Sequence, residues 1–376
     1  MNKIYYIRRN ATKQLPRNIL FLDCETNAER IDAIDLHRMS IAWTWRITLG
    51  DGGNIARERW TSYTDPQELY DYIAGECRVK APLYVIGSNI TFDLFATQLL
   101  EHMEVQGWIC DVLYDQGLVT ILIASQGDRK IKFLAAQNWL AGGVPAWGDM
   151  LDLPKLQIDF DSDTPEAISA YCRRDVEITG RAVLGYLDFL REHDMGGFAL
   201  TAAGQAYRCF RHRFMRRRSI LHYDKPPYNK FVRAAYAGGR VECGRIGTIT
   251  GDYTKLDINS MYPHVMREYT YPAKIRQWTR TATVDTVRDK IRSLCCIAEV
   301  ELDTPEPAYA VKEGGKLLFP VGEFSAFLCT GSLRYALDRG HITKVRQLMT
   351  FTPARLFQGY VDHFYPLKSR YQREGN

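Results

Sequence analysis

The first half of the chain alternates short apolar runs with stretches of helical period. The apolar and β-branched runs at residues 19–22, 39–47 and 83–86 predict strands, and the first of them ends at Asp23. Residues 66–74 predict a helix. A second, amphipathic helix is predicted over residues 92–103, with an apolar stripe of Phe92, Phe95, Leu99 and Met103. This rhythm of strands and helices indicates a layered α/β fold.

The pattern changes twice after residue 140. Residues 141–165 are rich in Gly, Pro and Asp and predict a loop. Residues 165–192 then form the longest helical pattern of the chain, with Pro165 in its first turn. Because Asp194 is followed closely by a Gly-Gly pair that ends this helix, we place a domain boundary after residue 195.

The second half mixes strand and helix signals and predicts an α+β domain. A hairpin is expected from residues 231–236 and 240–246, joined through Gly238-Gly239. A strand over residues 254–258 carries Asp257 near its end, and a helix begins at Pro263. The remaining predicted elements are strands at residues 296–302 and 316–319 and helices at residues 332–338 and 357–368.

Charge divides the chain at the same place. The sequence has 376 residues and is 46% apolar, which supports two domains with cores of their own. Residues 1–195 carry 20 basic and 28 acidic side chains, net −8, and residues 196–376 carry 29 and 16, net +13. The asymmetry favours an acidic catalytic half and a half that holds nucleic acid, with simple surface drift as the alternative.

A basic run at residues 208–218 contains six arginines interleaved with Phe210 and Phe214. Arginine binds phosphate oxygens well, so Arg213, Arg216 and Arg217 are candidate DNA contacts. A solvated helix face is the alternative interpretation.

The nine cysteines include no Cys-x-x-Cys pair and predict neither a disulfide framework nor a zinc ribbon. A reducing compartment follows as the default expectation. The first twenty residues are charged throughout, and no apolar stretch approaches the ~18 residues of a membrane span, so we predict neither a signal peptide nor a membrane partner.

Four carboxylates stand at positions suited to a metal site. Asp23 and Glu25 are two apart on a predicted strand, so both project from one face. Asp93 follows the next buried strand, at the edge where open α/β sheets bind ligands, although a first-turn or N-cap acid is the alternative. Tyr171 and Asp175 lie one turn apart on the long helix, where a packed tyrosine and a solvated aspartate are the alternative.

In order, Asp23-Cys-Glu25-Thr26, Asn89-x-x-Phe92-Asp93 and Tyr171-x-x-x-Asp175 resemble the three exonuclease motifs of family B DNA polymerases. The resemblance implies an RNase H-like 3′→5′ exonuclease over residues 1–195, a mixed sheet flanked by helices. It implies that two Mg²⁺ or Mn²⁺ ions are held by Asp23, Glu25, Asp93 and Asp175. Tyr171 would orient the attacking water. The single-stranded 3′ end of DNA would be gripped by Thr26, Asn89 and Phe92.

Lys155 resembles the lysine of a Lys-x-x-hydrophobic motif in the protein-primed subgroup of this family. That likeness implies a contact between Lys155 and the scissile phosphate, and a solvated loop lysine is the alternative. A further single-strand-binding motif of the subgroup is not intact at Asn138-Trp-Leu140.

The second half resembles part of the polymerase palm. Asp257-Ile-Asn-Ser260-Met261-Tyr262-Pro263 is similar to polymerase motif A, which implies that Asp257 binds catalytic metal and that Ser260, Met261 and Tyr262 contact the dNTP. Tyr236-Ala-Gly238-Gly239 is similar to a Tyr-x-Gly-Gly motif at which DNA backbone approaches. An ordinary strand-turn-helix and a plain hairpin are the alternatives.

The sequence contains neither the Asp-Thr-Asp of motif C nor the fingers motif B of the family. We therefore expect an N-terminal polymerase fragment, with residues 196–376 as an incomplete α+β palm that does not polymerise alone. A free-standing exonuclease with a DNA-binding domain and a non-catalytic subunit of a split polymerase are the alternatives. The implied partners are primer-template DNA, dNTP and a terminal protein primer. The expected location is the cytoplasm of a phage or plasmid host, with an organelle as the alternative.

Overall fold

The computed structural model describes residues 4–31, 34–160, 162–215, 220–223 and 226–374. The chain divides into two compact units. The first unit is Asn10–Arg213, and the second combines Met1–Arg9 with Phe214–Asn376. None of the helices in these described ranges is both long enough and apolar enough to cross a membrane.

The strands of the described chain are β1 (Ile4–Ile7), β2 (Asn18–Ile31), β3 (Ile34–Leu49), β4 (Ile55–Tyr63), β5 (Leu83–Gly87), β6 (Ile109–Gln116), β7 (Val119–Gln126), β8 (Arg129–Ala135), β9 (Ile220–Tyr223), β10 (Tyr271–Thr279), β11 (Cys295–Thr304), β12 (Val311–Glu313), β13 (Lys316–Leu318), β14 (Gly322–Cys329) and β15 (Ile342–Ala354). The α-helices are α1 (Pro66–Glu76), α2 (Ile90–Ala96), α3 (Leu99–Val105), α4 (Val144–Met150), α5 (Pro165–Glu192), α6 (Ala202–Cys209), α7 (Pro226–Ala234), α8 (Met261–Glu268), α9 (Val284–Lys290), α10 (Thr330–Arg339) and α11 (Gln358–Glu374).

The first unit is built on a seven-stranded mixed sheet of order β4-β3-β2-β5-β8-β7-β6. Strands β2, β5 and β8 run parallel to their neighbours in the centre, and the other pairings are antiparallel. One face packs on α1, α2 and α3, with Leu20, Leu22 and Leu69 in the core between them. Helix α5 packs on β2 and β3 at the other face. The apolar run at residues 19–22 is therefore buried on both sides of the sheet.

Helix α5 approaches the sheet closely because Gly180 faces it. A Cβ atom at Gly180 would lie 2.5 Å from the ring of Trp45 and 3.0 Å from that of Phe21. Those two aromatic residues are cross-strand partners on β3 and β2. The predicted helix at residues 165–192 is present with the predicted bounds, capped by the Thr164 side chain, which accepts a hydrogen bond from the Ala167 N–H.

The second unit has a four-stranded antiparallel sheet of order β10-β15-β11-β14. Helices α9 and α10 pack on it over a core that includes Val287, Val300 and Leu333. Two smaller two-stranded sheets pair β1 with β9 and β12 with β13. The Arg267 Nε–H donates to Asp362 Oδ1 at 2.6 Å and joins α8 to α11.

The units divide at Arg213 and not at the predicted boundary at residue 195. Helix α6 belongs to the first unit because the buried Gln205 amide ties it to the chain that follows α5. The Gln205 Nε2 group donates to the carbonyls of Met195 and Gly197 at 3.1 Å each, and its Oε1 accepts from the Ala199 N–H at 2.8 Å.

Two predictions in the first unit are wrong. The helix expected over residues 92–103 is two helices, α2 and α3, because Gln98 adopts a left-handed backbone with φ of 54° between them. Phe95 is 68% exposed and does not belong to the predicted apolar stripe. The predicted loop at residues 141–165 contains α4, which begins directly after Gly143 with Pro145 in its first turn.

Two predictions in the second unit are also wrong. Residues 231–236 are not the first strand of a hairpin, because Phe231 lies in α7 and is buried against the sheet. The strand expected at residues 254–258 is irregular chain, in which Leu256 is 87% exposed. A strand requires a neighbouring strand to satisfy its backbone, and the described residues provide none beside this segment.

Two glycines of α5 offer a matched test of its packing. We predict that Gly180→Ala lowers the free energy of unfolding by about 1–3 kcal/mol, because the added methyl overpacks against the sheet. Gly185→Ala should raise it by about 0.5–1 kcal/mol, because its Cβ meets no atom within 4 Å and alanine is the better helix former. Urea denaturation followed by tryptophan fluorescence measures both. Equal effects of the two substitutions would contradict this packing.

Candidate metal centre

The sequence predicted that Asp23 and Glu25 lie at the end of a strand. This is wrong, because both residues lie inside β2. Strand β2 stays paired with β3 as far as Ile31, and Asp23 lies opposite Trp43. On its other side, β2 pairs with β5 from Ile19 to Phe21, and the last pair is Phe21 opposite Ile86. The two carboxylates therefore project beyond the end of β5, on the sheet face that carries Phe21 and α5.

Asp93 lies in the first turn of α2, which follows β5, and is only 2% exposed. Its Oδ1 accepts a hydrogen bond from the Cys24 thiol at 3.4 Å. Its Oδ2 is buried and has no hydrogen-bond partner among the described residues. A side chain at Gly87 would come within 3.0 Å of this oxygen, so glycine leaves room for the carboxylate. The helix N-cap position belongs to Asn89, and Asp93 does not act as the cap.

Helix α5 contributes Tyr171 and Asp175 to the same region. Asp175 is 4% exposed, and its Oδ2 accepts a hydrogen bond from the Lys155 ammonium. Its Oδ1 is buried and makes no hydrogen bond within the described chain. Lys155 Nζ also lies 4.5 Å from the centroid of the Tyr171 ring. The structure thus brings the predicted Tyr171, Asp175 and Lys155 together.

Cys172 completes the centre, although the sequence analysis assigned it no function. Potential ligand atoms of Asp23, Glu25 and Cys172 lie within 4.8 Å of one another. The Cys172 thiol donates a hydrogen bond to the Asp23 carbonyl at 3.4 Å, which links α5 to β2. The available signal was its position beside Tyr171, on the helix that carries Asp175.

The carboxylates of this centre repel one another and are poorly solvated. Burial, followed by the negative charges of Asp93, Asp175 and Glu25, holds the pKa of Asp23 well above its ordinary value. Burial and then the Asp175 charge raise the pKa of Glu25 to about 7. Burial also raises the pKa of Asp93 to about 7 and raises that of Asp175, with the Lys155 hydrogen bond opposing the second shift. The centre therefore favours uptake of positive charge.

Lys155 supplies one such charge. Burial alone would lower the pKa of Lys155, but hydrogen bonds to Asp175 and Tyr171 outweigh it and the net shift is upward. Lys155 therefore stays cationic over the whole neutral range. The pKa of Tyr171 is raised, mainly by burial, so its phenol stays protonated there and can donate a hydrogen bond.

The donor set fits divalent cations. Carboxylate oxygens are the hard ligands that Mg²⁺ and Mn²⁺ prefer. Asp93 Oδ2 and Asp175 Oδ1 are buried oxygens without hydrogen bonds from the described residues, which a bound cation would satisfy. A cation would also relieve the repulsion that raises the carboxyl pKa values. Asp23, Glu25, Asp93 and Asp175 could therefore hold metal.

The predicted DNA-gripping residues lie partly together at the margin of this centre. Thr26 Oγ1 is 3.0 Å from His37 Nδ1, and the His37 ring meets the half-buried Phe92 ring edge-on at 5.6 Å. His37 thus joins Thr26 to Phe92, a link that the sequence did not indicate. Asn89 is exposed, and its side chain makes no helix-capping hydrogen bond.

The residues predicted for nucleotide binding lie in the second unit. Asp257, Met261 and Tyr262 are exposed, and Tyr262 is 66% accessible. Ser260 adopts a left-handed backbone with φ of 55°, and its Oγ accepts from the Lys368 ammonium at 3.3 Å. The prediction that Asp257 lies near the end of a strand is wrong, because the chain before it is irregular.

The Tyr-x-Gly-Gly residues reach the same exposed segment. A Cβ atom at Gly239 would lie 3.3 Å from the Tyr262 hydroxyl, whereas one at Gly238 would meet no atom within 4 Å. Tyr236 is exposed, and Lys312 Nζ lies 5.4 Å from the centroid of its ring.

Arg213 makes an intramolecular contact at the end of α5. Its Nη1 group donates to the His193 carbonyl at 2.6 Å, next to the last residue of the helix. A cation at a helix C-terminus satisfies an unpaired carbonyl and interacts favourably with the helix dipole. Arg216 and Arg217 lie outside the described residues.

A family model described as DNA polymerase type B, organellar and viral, matches residues 158–376, more than half of the chain. The fold is similar to that of phi29 DNA polymerase in its post-translocation complex with primer-template DNA, with a TM-score of 0.64 and 16% identity over 94% of this chain and 64% of that chain. The ternary complex with primer-template DNA and incoming nucleotide substrates gives 0.59 and 16% over 92% and 63%. The complex with single-stranded DNA gives 0.57 and 17% over 94% and 64%.

The chain thus spans slightly less than two thirds of the length of the phi29 polymerase chains. The identities are low, so this similarity is one of fold. It confirms the predicted fold class, an RNase H-like α/β region with a mixed sheet and flanking helices, followed by an α+β region. A search among curated proteins found no match.

We predict that Mg²⁺ raises the Tm of the protein more at about pH 8 than at about pH 5. Between about pH 4 and pH 7 the folded carboxyls retain protons that the unfolded chain releases, so stability falls as the pH rises through this window. A bound cation replaces those protons and restores the lost stability. Differential scanning calorimetry with and without Mg²⁺ measures this.

The variant Asp23→Asn/Glu25→Gln should show a smaller fall in Tm with pH, because only Asp93 and Asp175 still retain protons through burial, and it should lose the Mg²⁺ effect. The matched control is Glu101→Gln/Glu104→Gln, which removes two exposed carboxylates from α3 and should retain both effects. An undiminished Mg²⁺-dependent shift in the Asp23/Glu25 variant would place the cation elsewhere.

Proposed function

Because the chain belongs to the organellar and viral type B DNA polymerases, we propose that its first unit is a 3′→5′ exonuclease domain. Residues 1–195 are the predicted domain, and the compact unit continues to Arg213. One observation carries the proposal. Carboxylates from three separate elements, β2, α2 and α5, meet around buried oxygens that make no hydrogen bond within the described chain. Such a centre suits metal-assisted cleavage of a phosphodiester.

The carboxylates of Asp23, Glu25, Asp93 and Asp175 would hold two Mg²⁺ or Mn²⁺ ions. When bound, such ions supply a nucleophilic water near neutral pH and stabilise the charge that develops on the leaving 3′-oxygen. The four carboxylates would bind the ions and orient them, because carboxylate oxygens are hard donors. Two of these oxygens, Asp93 Oδ2 and Asp175 Oδ1, have no competing hydrogen bond among the described residues.

Lys155 and Tyr171 would act on the substrate from the α5 side. Lys155 is held cationic between Asp175 and the Tyr171 ring, so its ammonium can contact a non-bridging oxygen of the scissile phosphate. The protonated Tyr171 hydroxyl can hold the attacking water at a fixed position. Both groups stay in the required protonation state at neutral pH.

We propose single-stranded DNA with a free 3′ end as the substrate. A solved phi29 polymerase of similar fold carries single-stranded DNA. In this chain the partly exposed Phe92 ring is braced edge-on by His37, so one face can stack on a base. Thr26 and the exposed Asn89 would supply hydrogen bonds to the sugar and phosphate of the terminal nucleotides.

The second unit is proposed to be an incomplete polymerase palm. Its exposed Asp257, Met261 and Tyr262 and the half-buried Ser260 would contact metal and dNTP, and Tyr236, Gly238 and Gly239 would contact primer-template DNA. A similar fold in the phi29 complex with primer-template DNA and incoming nucleotide substrates supports this assignment. The terminal protein primer and the cytoplasmic location stay predictions.

We predict that the protein releases mononucleotides from the 3′ end of a 5′-labelled single-stranded oligonucleotide when Mg²⁺ or Mn²⁺ is present. Asp23→Ala/Glu25→Ala should abolish the release, because the remaining carboxylates cannot hold both ions. Gel electrophoresis of time points measures the products, and Glu101→Gln/Glu104→Gln is the control that should keep full activity. Undiminished digestion by the Asp23/Glu25 variant would sink the assignment.

Replacing Lys155 separates catalysis from metal binding. We predict that Lys155→Gln lowers kcat by about 10²–10³-fold, since a charge that stabilises the transition state is lost. The Mg²⁺-dependent rise in Tm should persist, because the lysine competes with the cation for Asp175. Lys80→Gln, at an exposed lysine on a turn, is the control. Loss of the Tm shift together with activity would instead make Lys155 a structural residue.

A further inference from the structure

We propose that this centre also binds a thiophilic divalent cation, Zn²⁺ or Cd²⁺, through Asp23, Glu25 and the sulfur of Cys172, and that this ion blocks the Mg²⁺-dependent reaction. The binding site stands on the geometry of the three side chains. The inhibition rests on the proposed exonuclease function.

The geometry is close to that of a bound ion. Ligand atoms of Asp23, Glu25 and Cys172 all lie within 4.8 Å of one another. Around one tetrahedral zinc ion, with bonds of ~2.0–2.2 Å to carboxylate oxygen and ~2.3 Å to sulfur, ligand atoms lie ~3.4–3.7 Å apart. Side-chain rotations that shorten the present separations by about 1 Å would therefore close the site. The hydrogen bond from the Cys172 thiol to the Asp23 carbonyl already places the sulfur beside β2.

A further donor stands one turn along α5. Asp175 is three residues after Cys172, so the two side chains share a helix face. Its Oδ1 is buried, with no hydrogen-bond partner in the described chain, and its charge acts on both Asp23 and Glu25. Asp175 is 4% exposed, so this oxygen is not satisfied by bulk water. Asp175 is not among the three residues whose ligand atoms converge, so a rotation of its side chain would be needed to make it the fourth ligand.

Sulfur distinguishes the two classes of metal. Mg²⁺ takes oxygen ligands, so with Mg²⁺ the Cys172 thiol stays protonated and donates to the Asp23 carbonyl. Zn²⁺ and Cd²⁺ bind thiolate: the S–H bond breaks, an S–metal bond forms, and the proton passes to solvent without any change of oxidation state. A site with four protein ligands leaves no coordination position for water or phosphate. The thiophilic ion would thus hold the catalytic carboxylates unproductively.

Cys24 provides a matched control. It also lies at the centre, but its thiol donates to Asp93 Oδ1 at 3.4 Å, and it is not among the three residues whose ligand atoms converge. Cys24 and Cys172 are both buried, so serine replacements at the two positions have comparable effects on packing.

The first experiment is a titration of the full chain with Cd²⁺, followed by the sulfur-to-metal charge-transfer absorption in the ultraviolet. The first equivalent should produce the band in the native protein and in Cys24→Ser. The band at the first equivalent should disappear in Cys172→Ser. Cys172→Ala is a second variant that should also lose the band, and it serves as the test if Cys172→Ser folds poorly. A first-equivalent band that is absent from the native protein, or retained in both Cys172 variants, would overturn the proposal.

The second experiment measures the Zn²⁺ concentration that halves the Mg²⁺-dependent nuclease activity of each protein relative to its own uninhibited rate. Cys172→Ser should require at least about tenfold more Zn²⁺, and Cys24→Ser should resemble the native protein. Equal inhibition of Cys172→Ser and the native protein would refute the inhibitory role. A Cys172-dependent Cd²⁺ band without any nuclease activity would support the site and contradict the exonuclease, so the two failures are distinguishable.

Discussion

The first unit is organised around the mutual repulsion of carboxylates that the fold forces together. Asp23 carries a pKa held well above its ordinary value because of burial and the charges of Asp93, Asp175 and Glu25. Such an arrangement destabilises the folded chain at neutral pH, and it persists only because other interactions fix the elements that carry it. The interactions that position β2, α2 and α5 must therefore offset this repulsion.

Those other interactions are apolar burial and sulfur hydrogen bonds. The run at residues 19–22 is inaccessible on both faces of the sheet, which anchors β2 directly before Asp23. Gly180 allows α5 to lie against Phe21 and Trp45 on the same strand pair. Thiols link the elements beside the carboxylates: Cys172 donates to the Asp23 carbonyl, and Cys24 donates to Asp93. A thiol adds no negative charge to the cluster, which suits both positions.

The sequence predicted most reliably what depends on strong local patterns. Helix α5 has its predicted bounds because a long apolar period, Thr164 and Pro165 all agree. The resemblance to family B polymerases is confirmed by the family that matches residues 158–376.

The predictions were wrong where contacts with residues distant in the sequence determine the structure. The strand predicted to end at Asp23 continues because β3 pairs with it, and residues 254–258 are irregular because the described chain offers them no paired strand. The contacts of His37, Cys24 and Cys172 cross between elements, so the local pattern did not predict them; the position of Cys172 beside Tyr171 was its one signal.

The candidate catalytic aspartates of the two units differ in their exposure to solvent. Asp93 and Asp175 are held almost inaccessible, with oxygens that no described side chain or backbone N–H satisfies, before any ligand binds. Asp257 is exposed on irregular chain, where water can solvate its carboxylate fully. Preorganisation in the first unit lowers the reorganisation needed to bind cations, because the cost of assembling the charges is met during folding. The same preorganisation keeps the Cys172 sulfur within 4.8 Å of ligand atoms of Asp23 and Glu25. A centre whose carboxylates suit hard cations such as Mg²⁺ can therefore also bind softer, thiophilic cations.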